Sequence, residues 1–115
     1  MKEAEIVRRS CHLIRLRGGI AEKYHGGPYS SAGVSDIVGA YGGYTLFLEA
    51  KQPGQKPTAL QLAFLRKARL VPRVIACVIR SPLDAQSLCA SIDAHAHSLA
   101  TVEKILLDSG IDHVL

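Results

Sequence analysis

Two adjacent glycines, Gly42 and Gly43, separate two apolar runs, residues 34–41 and 44–51. A glycine pair between strand-like runs is the signature of a two-residue hairpin, because the turns that suit twisted strands need positive φ at their centre. Placing the turn there fixes the register: Tyr41 faces Tyr44, Val38 faces Phe47 and Asp36 faces Glu49. Directly opposed residues share a sheet face with Cβ atoms about 5 Å apart. Lys51 joins that face through the two-residue strand period. The hairpin therefore predicts two carboxylates and an ammonium gathered in one place.

Like charges opposite one another destabilise a sheet, so something should compensate them. A divalent cation does so: magnesium prefers oxygen ligands, typically one or two carboxylates, and completes its shell with water and substrate phosphate. Such an ion supports phosphodiester cleavage, and a nearby ammonium orients water or stabilises the charge growing on the phosphate. Lys51 suits that role. The plainer reading is an exposed carboxylate pair neutralised by a surface salt bridge, worth little energy. The apolar flanks Ile37, Val38, Leu46, Phe47 and Leu48 favour the functional one, since charges inside hydrophobic strands call for a purpose.

The rest of the chain supplies the frame. Ile6, Leu13 and Ile14 recur at helical spacing over residues 3–17, and Gly18-Gly19 ends that helix. A short strand over residues 20–25 leads through Gly26-Gly27-Pro28 into a loop reaching about Gly33. After a turn at residues 52–57, Thr58 and Gln61 have capping-box spacing and open a helix through Leu60, Phe64, Leu65 and Ala68. Residues 74–79 are a continuous apolar run, as in a strand buried on both faces. Ser81-Pro82 then reads as an N-cap with proline at the first helical position. Leu88, Ile92, His95, Leu99, Val102 and Leu106 form a heptad-like stripe, in one long helix or two shorter ones. The expected fold is α/β, in the order αβββαβ with a helical C-terminal tail. It forms a single domain over residues 1–115, a core of about residues 1–81 and a tail of about 82–110.

Charge is spread unevenly. Residues 1–80 hold 13 Lys or Arg against 5 Asp or Glu, and residues 81–115 hold 1 against 5, which together give the net +4. A basic body attracts polyanions, nucleic acid foremost, although charge alone would equally serve solubility. Cys11, Cys77 and Cys89 are odd in number and form no CxxC pair, so neither a disulfide framework nor a zinc site is indicated. No apolar stretch is long enough for a signal peptide core or a membrane span, and a cytoplasmic protein is expected.

Gly33-Val34-Ser35-Asp36, the hairpin, Leu46-Phe47-Leu48-Glu49-Ala50-Lys51, and then Pro57-Thr58 with Gln61 together resemble the VRR-NUC branch of the PD-(D/E)XK nucleases. The resemblance runs from about Glu3 to Ser81, and the order and spacing of several motifs carry it. It implies a restriction-endonuclease-like core and a nuclease domain dependent on Mg2+ or Mn2+, with no organic cofactor. Metal ligands would be Asp36, Glu49 and the backbone carbonyl of Ala50. Lys51 would be the catalytic lysine, and Gln61 a further catalytic residue. An acidic residue of the first helix would map to Glu3, with Glu5 competing. Glu3 is equally explained as a favourable charge at a helix N-terminus, and Gln61 by the capping box. One departure is Ser35, where the family usually has proline before the aspartate.

The activity this implies is hydrolysis of DNA phosphodiester bonds by an endonuclease, structure-selective for junctions or flaps and working as a homodimer. The tail stripe offers a dimer surface or packs on its own core. Lys23, His25, Lys56, Arg66 and Lys67 are candidate nucleic-acid contacts, joined by Arg8, Arg9, Arg15, Arg17 and Arg69 as phosphate-positioning residues. The rivals are a non-catalytic nucleic-acid-binding module on the same fold and an interaction protein that docks through its acidic tail. His95 and His97, two apart on a helix, do not share a face and make no metal pair; His95 reads as a packed or interface residue, and His113 has no identifiable partner.

Overall fold

The computed structural model describes residues 1–26, 33–96, 98 and 100–111. Its elements are α1 Glu3–Leu16, β1 Ile20–Lys23, β2 Ile37–Tyr41, β3 Tyr44–Ala50, α2 Ala59–Ala68, β4 Val74–Ile79, α3 Pro82–Ala94 and α4 Val102–Ser109. The expected order, helix, three strands, helix, strand and helical tail, is observed. Gly27 and Pro28 of the expected loop, and His97, Leu99 and His113, lie outside the described residues.

Gly42 and Gly43 take φ of 57° and 89°, the values a primed two-residue turn demands. The register is the expected one, with Tyr41 opposite Tyr44 and Val38 opposite Phe47. The sheet runs β1-β2-β3-β4. Its first three strands are antiparallel, whereas β3 and β4 are parallel. Parallel neighbours need a crossover, and α2 provides it.

Side-chain alternation then divides two cores. On one sheet face Ile37, Leu46, Leu48, Ala50, Ile75, Cys77 and Ile79 pack against Ile6, Cys11 and Ile14 of α1 and Leu88 and Ile92 of α3. On the other, Val74, Ala76 and Val78 pack against Leu65 of α2, with Phe47 and Phe64 edge to face at 5.2 Å. Every residue of β4 is buried, which is why that strand reads as an unbroken apolar run. All three cysteines are buried and free. No helix among the described residues is long and apolar enough to cross a membrane.

The elements differ from expectation mainly at their ends. β1 stops at Lys23, short of His25. β2 begins at Ile37, so Val34, Ser35 and Asp36 precede the strand. β3 ends at Ala50, one residue before Lys51. Aspartate is poorly suited to strand interiors, and Asp36 bends the chain just before β2. The tail forms two helices. Ser81 caps α3 by accepting from the Asp84 N–H, and Thr101 caps α4 by accepting from the Lys104 N–H. Of the heptad-like stripe, Leu88, Ile92 and Leu106 are buried in the chain's own core and Val102 packs against it.

Candidate active site

Asp36, Glu49 and Lys51 arrive from two segments of the hairpin at one end of the sheet. Glu3 from the first turn of α1, Lys23 from the end of β1 and Gln61 from the first turn of α2 line the same pocket, a cavity of about 270 Å³. Six candidates that are scattered from residue 3 to residue 61 thus converge.

The backbone explains how. Glu49 lies on central strand β3, beside Val78 of β4, and is only 2% exposed. Asp36 lies in a bend, so the two carboxylates do not meet as an ordinary strand pair; the last described pair is Ile37 with Leu48. The bend turns the Asp36 carboxylate onto the strand: its Oδ2 accepts from the Ala50 N–H at 2.9 Å. In an extended residue the N–H and C=O leave the chain on the same side, so the Ala50 carbonyl faces the Asp36 side as well. Ser35, standing where proline was expected, is fully buried. Its hydroxyl donates to the Ile37 carbonyl at 3.2 Å, a local constraint that proline would have supplied through its ring. Gly33 seats this segment on α2: it has φ +81°, and a Cβ there would stand 2.4 Å from the Leu60 carbonyl oxygen.

The electrostatics penalise a second negative charge beside Asp36. Burial, and then the neighbouring Asp36 carboxylate, push the Glu49 carboxyl from 4.5 up to about 8, against the pull of Lys51. Glu49 Oε2 is buried without a hydrogen-bond partner among the described residues. A buried carboxylate oxygen with a second carboxylate beside it fits an oxygen-preferring divalent ion, which needs only one or two carboxylates. Among the described residues no three His, Cys, Asp or Glu side chains stand close enough together to hold a metal ion, so an ion here would depend on Asp36, Glu49 and backbone oxygen, with Glu3 held off by Lys51.

Lys51 is largely enclosed, its side chain 13% exposed, with Nζ 3.6 Å from Glu3 Oε1. Glu5 points elsewhere and pairs with Arg9 at 3.0 Å on the helix surface. Residues two apart on a helix do not share a face, so only Glu3 reaches the pocket. Gln61 both lines the pocket and completes the capping box: its side chain accepts from the Thr58 N–H at 2.8 Å.

Among the basic candidates, Lys23 lines the pocket, and His25 lies exposed just beyond β1. Lys56, Arg66 and Lys67 are exposed. Arg17 pairs with Asp93 at 3.1 Å, at the end of α1 remote from Glu3, about 20 Å along the helix. Sequence reasoning overlooked Arg80. Its guanidinium donates to the carbonyls of Gln52 at 2.9 Å and Gln55 at 2.7 Å, securing the turn that follows Lys51. The available signal was its position, a cation directly after the six apolar residues of β4.

A search of solved structures finds a VRR_NUC domain similar to this chain, with a TM-score of 0.56 and 20% identity over 85% of this chain and 97% of that one. The chain therefore has the VRR_NUC fold. No protein-family model matches the chain, and no curated protein does.

Proposed function

We propose that this chain is a divalent-metal-dependent endonuclease that hydrolyses DNA phosphodiester bonds. The observation that carries the reading is the pocket that gathers Asp36, Glu49 and Lys51 with Glu3 and Gln61 around a buried, unpartnered carboxylate oxygen. The VRR_NUC fold and the motif resemblance support it. Asp36, Glu49 and the Ala50 carbonyl would hold Mg2+ or Mn2+, which when bound supplies Lewis-acid polarisation of the scissile phosphate and acidifies water.

The chain's own groups do the rest. Lys51, tethered by Glu3, presents a charged N–H donor to a phosphate oxygen as negative charge grows there. Attack by water, which gives up a proton to solvent, forms the new P–O bond while the bond to the leaving oxygen breaks, and that oxygen takes a proton from solvent. Burial of Glu49 keeps the carboxylate pair in a partly dehydrated setting, where its attraction for a cation is strong. Gln61 anchors the start of α2 beside the site. Selectivity for junctions or flaps belongs to this proposal and comes from the resemblance.

The test is cleavage of labelled single-stranded, duplex, flap and four-way-junction DNA with magnesium, manganese or EDTA. Cutting that requires the metal is expected, with the preferred structure ranked by rate. DNA binding without cutting under every condition would replace this reading with a non-catalytic binding module on the same fold.

A further inference from the structure

Two grooves adjoin the candidate active site, and their chemistry is opposite. The one beside α2 is apolar, lined by Val34, Phe47, Leu60, Phe64 and Val71, with Lys67 as its single charge. The other runs between α1 and β1, a cavity of about 360 Å³ bordered by Arg8, Arg15, Lys23 and His25, with Glu22 the one acidic residue among the described lining. It shares Ala4, Val7 and Lys23 with the active-site pocket, so the two are continuous. From Ala4 to Arg15 the helix rises about 16 Å, long enough to follow more than one phosphate of a nucleic-acid strand.

We infer that the α1–β1 cleft is the phosphate track of this protein: it holds the strand on one side of the scissile bond, and Lys23 bridges track and site. This rests on the proposal that nucleic acid is the substrate, and it specifies where the strand runs. A polyanion gains little in the apolar groove, whereas each cation of the cleft that neutralises a phosphate frees a counterion condensed on the nucleic acid. Lys23 and His25 form no ion pair with any described residue. Arg8 has only a 4.0 Å surface contact to Glu5. Arg15 is engaged with Glu22 at 3.0 Å, on an exposed pair that solvent screens. Glu22 therefore acts against binding, by occupying Arg15 and by adding a negative charge to the track.

The test is equilibrium binding of a labelled duplex DNA in EDTA, so that it reads affinity whether or not the protein cuts. Arg8→Ala and His25→Ala change exposed side chains. Arg8→Ala is expected to weaken binding roughly five- to tenfold at 0.1 M salt and to lower the salt slope by about one. His25→Ala should weaken binding in the same direction. Arg66→Ala and Lys67→Ala on α2 should change affinity less. Glu22→Gln should tighten binding several-fold, an outcome that unfolding cannot mimic. If the parent binds and the α2 variants lose more than the cleft variants, or if Glu22→Gln fails to tighten binding, the track is misplaced while the nuclease proposal stands. If the parent does not bind DNA at low salt, both fall.

Discussion

Glu49 is the residue on which the site turns, because it is buried beside Asp36 with one oxygen left unpartnered. Its carboxyl is held near 8 in the folded protein against 4.5 when free. The folded state therefore binds that proton more tightly, and the associated stability is full below about pH 4.5 and is lost as pH rises through 8. Thermal melts of the metal-free protein should show this decline, and Glu49→Gln should flatten it, with a gain at pH 8 on the order of a few kcal/mol. At the same pH, magnesium should raise the melting temperature of the parent and not that of Glu49→Gln. A pH-independent parent would contradict the burial of this charge. Above pH 8, where Glu49 is charged, Asp36→Asn relieves the repulsion while leaving an oxygen to accept from the Ala50 N–H. It should be at least as stable as the parent without metal, yet inactive. Asp36→Ala, which orphans that N–H, should lose about 1–3 kcal/mol in urea titrations.

At the scale of elements, the hairpin was legible because a glycine pair permits few turns, and the register it dictates brought out Glu49 and Lys51. Helix α2 was legible from its capping box, which is formed as expected. Thr58→Ala should cost about 1 kcal/mol by denaturant melt. The bend at Asp36 was not legible, because alternation continues through Val34 and Ser35, and the seat of Gly33 on Leu60 that goes with it is a tertiary contact. Gly33→Ala should destabilise by about 1–3 kcal/mol, through positive φ and a clash with backbone, and should also lower activity by displacing Asp36. Activity unchanged at a temperature where the variant is folded would show that this seat does not position the carboxylate. The choice between Glu3 and Glu5 required the rotation of α1 against the sheet, which a sequence without an alignment of helix and strand does not contain.

The whole molecule combines a basic body with an acidic tail, and Leu88, Ile92, Val102 and Leu106 of the tail stripe pack on the chain's own core. Open apolar surface lies on α2 and just after it, where Leu60 is 60% and Val71 is 54% exposed around the apolar groove. We propose that the homodimer which the motif resemblance implies buries that face. Sedimentation should then show a dimer at micromolar concentration that Leu60→Lys dissociates, whereas a monomeric parent would end the dimer proposal. Single-turnover cleavage of the best DNA substrate by the parent and by Lys51→Ala, at matched DNA binding, decides whether Asp36, Glu49 and Lys51 form a phosphodiester-cleaving centre. Magnesium affinity and DNA binding should be retained while the cleavage rate falls by about a hundredfold or more. An undiminished rate would take Lys51 out of the mechanism and contradict the site as drawn.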